Sequence, residues 1–418
     1  MEKLSKLAES MVGSEIVRLG NEINERKRKG EHIFNFTIGD FDPSVFPIPE
    51  ALEKLIIESY QHHYTNYPPA DGILELREAV AAFIKAGEGI DYSPSEVLIA
   101  SGGRPLIYTL FKAIVDENDK VIYASPSWNN NHYTNLHKGK HCVIETSPEN
   151  NFMPTAEDIA ANIKDAALIC LCTPQNPTGT TLSKAALTEI CNIIIEENNR
   201  RSSNEKKLYL MFDQMYWTLT YGDIKHYNPV SLNPEMRKYT IFVDGISKAF
   251  AATGVRVGWA FGPAHVLGKM KAFLSHVGAW APMAEQKATA KYLHQKELIQ
   301  QHFTGFKAAL ELRLRKIYNG FIELKNEGFN VDAIAPQAAI YLTIKFDLVG
   351  KKTPDTELKS QEDVTEYLLS AAKLAVVPFY AFGAEKHSPW YRLSVGTCKI
   401  EDIEPFLQNL RKALQALQ

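Results

Sequence analysis

The sequence has few cysteines and no strong charge bias, which argues against several classes of protein. Among 418 residues five are cysteines, at positions 142, 170, 172, 191 and 398. A small and odd number of cysteines gives no disulfide framework and fits a reducing compartment. The formal net charge is −3 at pH 7, and no long block of lysine and arginine stands out. We therefore expect no nucleic-acid partner.

The sequence also lacks the segments that direct a chain into or across a membrane. No apolar run is long enough to span a bilayer, and the N-terminus, MEKLSKLAESMVG, has no apolar core like that of a signal peptide. We expect a cytoplasmic protein with no membrane partner. Cys170 and Cys172 alternate within an apolar run that indicates a buried strand, so we expect no metal site there. A G-x-G-x-x-G motif is absent, which gives a dinucleotide-binding fold little support.

The sequence does contain a regular succession of short apolar runs and helical segments. The apolar runs cover residues 97–100, 120–124, 167–172, 208–212, 240–243 and 257–261. Their alternation with helices implies an α/β fold with a mainly parallel sheet covered on both faces. After about residue 282, charge-rich helices and two further strands indicate a smaller α+β domain. The polar stretch 199–207, NRRSSNEKK, is predicted to be an exposed loop.

The stretch at residues 240–260, TIFVDGISKAFAATGVRVGWA, carries a lysine and an arginine after an apolar run. Lys248 is predicted to lie where the strand gives way to a loop, close to small residues and a second cation. A lowered lysine pKa is one natural outcome there, and Schiff-base chemistry needs a neutral amine. Arg256 lies between glycines and suits a phosphate, because its planar guanidinium binds oxyanions through two N–H groups. Taken alone, each is more simply explained as a surface lysine or a packing arginine.

Three other strand ends carry polar clusters. Asp213 and Tyr216 place an acid and a phenol three residues apart, directly after an apolar run. Asn176 opens an Asn-Pro-Thr-Gly turn after the run at 167–172. Residues 101–103, Ser-Gly-Gly, lead into a helix, whose first N–H groups can bind an anion. Each cluster alone is common for purely structural reasons.

Taken in order, these residues resemble the signature of the class I/II aminotransferases, which are pyridoxal-phosphate enzymes of fold type I. The resemblance is carried by Tyr67, Ser101-Gly102-Gly103, Trp128, Asn176-Pro177-Thr178-Gly179, Asp213, Tyr216, Ser247-Lys248, Arg256 and Arg392. It runs from about residue 30 to the C-terminus, and its pattern is most similar to the bacterial aspartate aminotransferase subgroup. It implies a mainly parallel seven-stranded sheet with helices on both faces and a smaller α+β domain.

The resemblance also implies a domain order and an assembly. Residues 1–48 would form an N-terminal helix and active-site loop that join the small domain, and helical spacing predicts one amphipathic helix over residues 1–30. Residues 49–290 would form the large pyridoxal-phosphate-binding domain and residues 291–418 the small C-terminal domain. Tyr67 resembles the tyrosine that reaches the phosphate of the neighbouring subunit's cofactor, which implies a homodimer with shared active sites.

The resemblance assigns roles around the cofactor, pyridoxal 5′-phosphate. Lys248 would hold the cofactor aldehyde and later move a proton, and Asp213 would pair with the ring nitrogen. Tyr216 and Asn176 would hydrogen-bond the ring oxygen, and Trp128 would stack on the ring. The cofactor phosphate would be bound by residues from several loops, namely Ser101, Gly102, Gly103, Arg104, Ser247, Arg256 and Tyr67.

The same resemblance implies an amino acid substrate. Arg392 matches the arginine that binds the α-carboxylate, Asn176 lies on the substrate side, and Gly39 matches the glycine of a loop that closes over that carboxylate. Arg104 stands where the bacterial subgroup has a lysine for the distal carboxylate. This favours aspartate as donor and 2-oxoglutarate as acceptor in a ping-pong reaction. Glu15 favours the opposite, because a carboxylate there would repel an acidic side chain.

Two alternatives remain open. Aromatic or other neutral amino acids are the second substrate class, given the nearby Phe41, Phe46 and Trp280. Residues 275–284 contain no arginine of the kind that another aspartate subgroup uses. A C–S lyase of the same fold is the other alternative, since β-eliminating enzymes share the same cofactor residues.

Overall fold

The computed structural model describes residues 4–10, 13, 15–353 and 356–418, which divide into two compact units. The large unit consists of Phe46–Ala309 and Gln337–Ala339. The small unit consists of the described residues of Met1–Val45 together with Leu310–Pro336 and Ile340–Gln418. The predicted domains end after residues 48 and 290. In the structure the second division falls inside a long helix, at a point that hydrophobic periodicity does not mark.

Helices occur throughout the described chain, and the longest has 31 residues. In chain order they are α1 (Lys6–Ser10), α2 (Glu15–Arg28), α3 (Glu50–Gln61), α4 (Leu74–Glu88), α5 (Gly103–Ile114), α6 (Asn130–Leu136), α7 (Ala156–Asn162), α8 (Lys184–Arg200), α9 (Pro229–Leu232), α10 (Ile246–Ala249), α11 (Ala264–Val277), α12 (Met283–Leu293), α13 (Lys296–Asn326), α14 (Gln361–Ala371) and α15 (Ile403–Gln415). Within the described ranges, no helix combines the length and apolar character needed to cross a membrane.

The strands form one large sheet and two smaller ones. In chain order they are β1 (Phe34–Asn35), β2 (Val97–Ala100), β3 (Lys120–Ser125), β4 (Lys140–Glu145), β5 (Ala166–Cys172), β6 (Tyr209–Asp213), β7 (Thr240–Gly245), β8 (Gly258–Phe261), β9 (Val331–Ala333), β10 (Tyr341–Phe346), β11 (Leu374–Ala375), β12 (Val377–Pro378) and β13 (Trp390–Ser394). The large unit contains a seven-stranded sheet in the order β2-β8-β7-β6-β5-β3-β4. In the small unit, an antiparallel sheet has the order β12-β13-β10-β9, and β1 pairs with β11.

The large sheet is buried on both faces, which explains why its central strands read as continuous apolar runs. Alternate residues of β5 enter two different cores: Ile169 and Leu171 pack into one, and Leu168 and Cys170 into the other. All these side chains are at most 4% exposed. The predicted α/β sheet with helices on both faces is therefore confirmed.

The direction of β8 decides which residues meet at the carboxyl edge of the large sheet. Strands β3 to β7 are parallel to one another, whereas β8 runs antiparallel to both β7 and β2. Gly258, the first residue of β8, is therefore in register with Ala100 at the end of β2 and with Gly245 at the end of β7. Residues just before β8, including Arg256, consequently arrive at the edge where the parallel strands end.

Two local predictions differ from the structure, and one strand of the large sheet was missed. Lys248 lies in the short helix α10 and not in a loop, since the backbone N–H of Phe250 bonds to the carbonyl of Ile246 (3.1 Å). Gly13 is not helical, so the N-terminal segment forms α1 and α2 and not one helix; Met11 of the predicted pattern lies outside the described residues. Strand β4 was not predicted, because Ile144 is the one residue of this edge strand that is buried.

The polar insertion lies on the surface, as predicted. Residues 199 and 200 complete α8, and residues 202–206 are exposed. The amine of Lys206 lies 2.6 Å from the carboxylate of Asp116 and 2.5 Å from that of Asp119. The insertion therefore attaches to the loop before β3 and does not enter the sheet.

Candidate active site

The carboxyl edge of the large sheet places one arginine against a glycine pair. Arg256 donates from Nη1 to the carbonyl of Thr253 (2.7 Å) and from Nη2 to the carbonyl of Ser101 (2.8 Å). Gly102 has a φ of 83°, and a side chain there would collide with this guanidinium. Helix α5 begins at Gly103, so its unpaired N–H groups lie beside a fixed positive charge. This arrangement is suited to an anion.

Glycines at the strand ends allow the backbones in this part of the site to approach each other closely. A Cβ on Gly258 would lie 2.6 Å from the carbonyl carbon of Gly102, and one on Gly245 would lie 2.8 Å from the Cα of Gly258. The ends of β2 and β7 and the start of β8 thus approach more closely than side chains allow. Arg256 itself has a left-handed φ of 62°. Such conformations cost about 1–3 kcal/mol and concentrate at functional sites.

Asp213 is a carboxylate in an environment that disfavours its charge. It ends β6 in the middle of the sheet, and its side chain accepts a hydrogen bond from the backbone N–H of Met215 (3.1 Å). Burial raises the pKa of Asp213 from 3.8 to about 6, against a smaller lowering by the Met215 hydrogen bond. A nearby cation would stabilise the ionised form. Burial and the charge of Asp213 also hold the pKa of Cys172 well above its usual range, so this thiol stays protonated.

Lys248 and Tyr216 bring an amine and a phenol to the same edge. The Lys248 Nζ lies 6.0 Å from the centroid of the Tyr216 ring. Tyr216 and Ser247 are buried, and Lys248 is half-buried. The short helix that carries the lysine is attached to the segment just before β8, because the N–H of Ile246 donates to the carbonyl of Val257 (3.2 Å). Lys248 is therefore held on an anchored turn.

The turn that presents Asn176 is fixed by its neighbours. Gln175 donates from Nε2 to the carbonyl of Pro126 (2.7 Å), and its backbone N–H donates to the carbonyl of Thr180 (2.9 Å). The hydroxyls of Thr178 and Thr180 are hydrogen-bonded at 2.6 Å. Asn176 itself is 7% exposed. A buried amide in a braced turn after β5 is a well-oriented hydrogen-bonding group.

Two aromatic contacts mark the outer part of this site. The guanidinium carbon of Arg104, an exposed residue at the start of α5, lies 5.4 Å from the centroid of the Trp128 ring. This is within the range of a cation–π contact. Tyr67 is 82% exposed and meets Trp280 edge to face, with ring centroids 5.3 Å apart. An exposed tyrosine of this kind is available to a second molecule.

In the small unit, Arg392 is held flat in a buried position. It is 2% exposed, and its guanidinium carbon lies 4.8 Å from the Tyr341 ring centroid and 4.7 Å from that of Phe382. Nη2 donates to the carbonyl of Thr37 (2.7 Å). A Cβ on Gly39 would lie 2.8 Å from the Tyr341 hydroxyl and 3.5 Å from Nη1 of Arg392. Glycine therefore allows the N-terminal loop to approach the guanidinium.

The predicted site residues thus form two groups. In the large unit, contacts join Arg256 to Ser101 and Gly102, Arg104 to Trp128, and Lys248 to Tyr216. In the small unit, Gly39 lies beside Arg392. Sequence reasoning missed Thr37, Tyr341 and Phe382 around that arginine. They occur in apolar stretches that read as ordinary core, and no local pattern marks their contact with a distant arginine.

Comparison with known proteins identifies the family to which this chain belongs. A family model described as aminotransferase class I and II matches residues 31–410. The chain belongs to the class I and II aminotransferases. It is 30% identical over 420 residues to the aspartate/prephenate aminotransferase of Thermus thermophilus, covering 99% of this chain and 98% of that protein. It is 26% identical over 416 residues to the aspartate aminotransferase of Bacillus subtilis, covering 99% of each. The crystal structure of the aspartate aminotransferase from Rhizobium meliloti superposes with a TM-score of 0.90 at 25% identity, over all of both chains.

The predicted family, fold and enzyme class are therefore confirmed, and this protein is a pyridoxal-phosphate-dependent aminotransferase. The residues of this aminotransferase fit the cofactor that its family uses. Burial raises the pKa of Asp213, so a cationic partner such as a protonated ring nitrogen would stabilise its ionised form. Gly102, Gly103 and Arg256 lie together at the start of α5 and would fit the phosphate of that cofactor as a cradle. Within the described ranges, no group of three or more potential side-chain ligands could hold a metal ion.

Proposed function

We propose that this aminotransferase takes the amino group from an acidic amino acid, preferably aspartate, and passes it to 2-oxoglutarate. The donor would leave as a 2-oxo acid before the acceptor binds, as in a ping-pong reaction. Two relatives with nearly complete coverage are named for aspartate, which supports this substrate class. The observation that carries the proposal is the position of Arg104 against Trp128, beside the phosphate cradle.

The proposed chemistry assigns one task to each residue around the cofactor ring. When bound, pyridoxal phosphate supplies an aldehyde that accepts the amino group and a ring that withdraws electrons. Lys248 would hold that aldehyde and, once the substrate amine has displaced it, would move the proton at the substrate Cα. Asp213 would keep the ring nitrogen protonated, and Tyr216 and Asn176 would donate hydrogen bonds to the ring oxygen. Trp128 would stack on the ring face.

The remaining predicted residues are assigned to the two anionic ends of the reactants. The cofactor phosphate is bound by Ser101, Gly102, Gly103, Arg104 through its backbone N–H, Ser247 and Arg256, with Tyr67 from a second subunit. Arg392 binds the α-carboxylate, and the loop at Gly39 closes over it. Arg392 suits this role because the rings of Tyr341 and Phe382 already hold its guanidinium flat.

Arg104 distinguishes an acidic substrate from a neutral one. In the described part of the chain its guanidinium has no carboxylate partner, so it is available to a distal carboxylate of the substrate. The side chain of Glu15, which favours a neutral substrate, lies outside the described residues. Support for aromatic substrates is weaker, because Phe41 and Phe46 are 7% and 5% exposed and belong to the interior.

The proposal is tested by measuring the first half-reaction with single amino acids. Loss of the visible band of the lysine-bound cofactor is followed with aspartate, alanine and phenylalanine, in the wild type, Arg104→Ala and Arg104→Lys. A hydrogen bond to a charged group contributes about 1.5–3 kcal/mol, so Arg104→Ala should slow aspartate roughly tenfold to hundredfold. Alanine and phenylalanine should change by less than about threefold, and Arg104→Lys should recover part of the aspartate rate.

Two outcomes would count against this function. Equal slowing of all three amino acids in Arg104→Ala would remove the argument for an acidic substrate. Release of pyruvate and ammonia from a β-substituted amino acid, without any 2-oxo acid acceptor, would instead indicate a lyase. Return of the visible band on adding 2-oxoglutarate alone supports amino transfer.

A further inference from the structure

Behind the loop that carries Asp213 and Tyr216, the large unit buries polar groups that the proposed chemistry does not use. We call them the Glu88 cluster, and its members are Glu88, Gln214, Trp217, His226 and Asp244. The side chains of Glu88 and His226 are 2% and 7% exposed, and Gln214 and Asp244 are fully buried. Burying carboxyl groups is costly unless they are hydrogen-bonded. The two buried carboxyl groups therefore depend on their hydrogen-bonding partners in this part of the structure.

The members of the Glu88 cluster are linked by direct contacts. Gln214 donates a short hydrogen bond from Nε2 to Oε1 of Glu88. The Nε2 atom of His226 lies 3.7 Å from the other carboxylate oxygen of Glu88, and the imidazole packs against the indole of Trp217. The indole N–H of Trp217 donates to Asp244 (2.8 Å). The cluster thus forms a continuous path from helix α4 to strand β7.

The C-terminal end of α4 is shaped for this cluster. Glu88 is the last residue of that helix. A side chain on the preceding Gly87 would collide with the indole of Trp217, so glycine lets the helix lie directly against this ring. The carbonyl of Glu88 also accepts a hydrogen bond from the side chain of Asn228 (3.4 Å). The helix end is therefore a fixed support for the carboxylate.

Cluster members alternate along the chain with residues of the site. Gln214 directly follows Asp213, and Trp217 directly follows Tyr216, so each of these two site residues is adjacent in the chain to a residue that contacts Glu88 or Asp244. Asp244 ends the apolar part of β7 four residues before the lysine and accepts the N–H of Gly245 (2.7 Å). Burial and the charges of Glu88 and Asp213 hold the pKa of Asp244 well above its usual range.

We infer that Glu88 is a positioning residue: through Gln214 it fixes the orientation of residues 213–217, and so of Asp213 and Tyr216 toward the cofactor. Because the side chain of Gln214 is hydrogen-bonded to the buried carboxylate of Glu88, residues 213–217 cannot rotate without breaking that bond. The rings and carboxylates behind it restrict the same segment from the other end, at Trp217. This inference rests on the proposed roles of Asp213 and Tyr216 and adds a residue that touches neither cofactor nor substrate.

The test compares Glu88→Ala with Glu88→Gln by two cofactor readouts and one stability readout. The cofactor readouts are the dissociation constant for pyridoxal phosphate and the pH midpoint of its visible band without substrate. The stability readout is the melting temperature of the cofactor-free protein. Glu88→Ala should weaken cofactor binding by up to about tenfold, the factor reached if the contribution of the lost Gln214–Glu88 hydrogen bond is fully transmitted to Asp213 and Tyr216, and should shift the midpoint. Glu88→Gln keeps an acceptor for Gln214 and should stay within about twofold of the wild type.

Glu197 offers a matched control in the same unit. It is also a buried glutamate near the end of a helix, α8, and its carboxylate accepts a hydrogen bond from Nε of Arg201 (2.9 Å). That helix end lies beside Leu208, before β6 begins, whereas Asp213 ends β6. Glu197→Ala should lower the melting temperature while leaving both cofactor readouts unchanged.

Each outcome of this test decides the inference. If Glu88→Ala behaves like Glu197→Ala, with a lower melting temperature and unchanged cofactor readouts, Glu88 is only structural and the inference fails. If Glu88→Ala does not fold, Gln214→Leu removes the same hydrogen bond from its other end, and the same expectations apply to it. Failure of the wild type to bind pyridoxal phosphate would contradict the proposed function itself, which separates the two failures.

Discussion

At the scale of a single residue, Asp213 combines a central position with an unfavourable charge. Its pKa is raised to about 6 by burial, so in the cofactor-free protein ionisation costs free energy. Because the folded pKa lies above 3.8, this residue favours the folded state most below about pH 4, and that contribution is lost as the pH rises through about 6. A cationic partner would offset the cost, which links this destabilisation to the proposed role.

We predict that Asp213→Asn stabilises the cofactor-free protein at about pH 8, by about 1–3 kcal/mol. The upper value corresponds to the full pKa shift, and the lower value allows for a side chain that keeps part of its surface accessible. The gain should vanish below about pH 4, where aspartate is neutral in both the folded and unfolded states. Urea unfolding at the two pH values measures the difference, and amino transfer by the variant should fall by orders of magnitude.

Asp42 provides a control of opposite sign. Hydrogen bonds from the backbone and hydroxyl of Ser44 lower the pKa of Asp42, so its ionised form favours the folded state. Asp42→Asn should therefore lose stability at about pH 8 and not gain it. An Asp213→Asn variant whose stability gain were the same at both pH values would show that ionisation is not the cause.

At the scale of an element, the start of helix α5 and the reversed strand β8 together make the proposed phosphate cradle. We predict that Gly102→Ala weakens binding of pyridoxal phosphate at least about tenfold, because a methyl group would push the Arg256 guanidinium away from the helix N-terminus. Binding of pyridoxal, which lacks the phosphate, should change by less than about twofold. Fluorescence titration of both compounds measures the ratio.

A glycine on another helix of the same unit serves as a control, because its replacement by alanine stiffens the backbone without touching the proposed phosphate cradle. Gly268 is exposed within α11, and a Cβ there would meet nothing within 4 Å. Gly268→Ala should raise stability by about 0.5–1 kcal/mol and leave the affinities for both compounds unchanged. If Gly102→Ala weakened pyridoxal and pyridoxal phosphate equally, the cradle would not be specific for the phosphate.

At the scale of the whole molecule, Tyr67 connects the proposed site to a proposed homodimer. It is 82% exposed, whereas Tyr216 and Asn176 are buried. A tyrosine that serves the site of a neighbouring copy would be exposed in this way in a single chain. The homodimer with shared sites therefore stays a proposal that mixed dimers can test.

We predict that Lys248→Ala and Tyr67→Ala chains complement each other when mixed. Lys248→Ala alone should fold but show no lysine-bound cofactor band, and Tyr67→Ala alone should bind the cofactor about tenfold more weakly. If Tyr67 serves the partner, each mixed dimer has one site with an intact lysine and an intact tyrosine, and that site should bind with wild-type affinity. If Tyr67 serves its own chain, the mixture shows no high-affinity site. Differently tagged chains, refolded together and purified through both tags, provide the sample.

The sequence by itself determined six of the seven strands of the large sheet and the polar residues that follow them. Asp213, Asn176 and Lys248 each follow an apolar run of a mainly parallel sheet, and the resemblance to the class I/II aminotransferases assigned them to one site. Order and spacing along the chain were enough to indicate the family. The relevant information is local, because each motif lies within a few residues of its strand.

Only the tertiary structure decided which residues hold these groups in place. Arg256 contacts Ser101 because β8 is antiparallel to both of its neighbouring strands. The residues of β8 themselves do not indicate that direction. Likewise, Glu88 supports the residue after Asp213 from a helix that ends more than a hundred residues earlier, and no local pattern marks the pair. Strand direction and side-chain packing depend on contacts between distant segments. They therefore become visible only when the chain is folded.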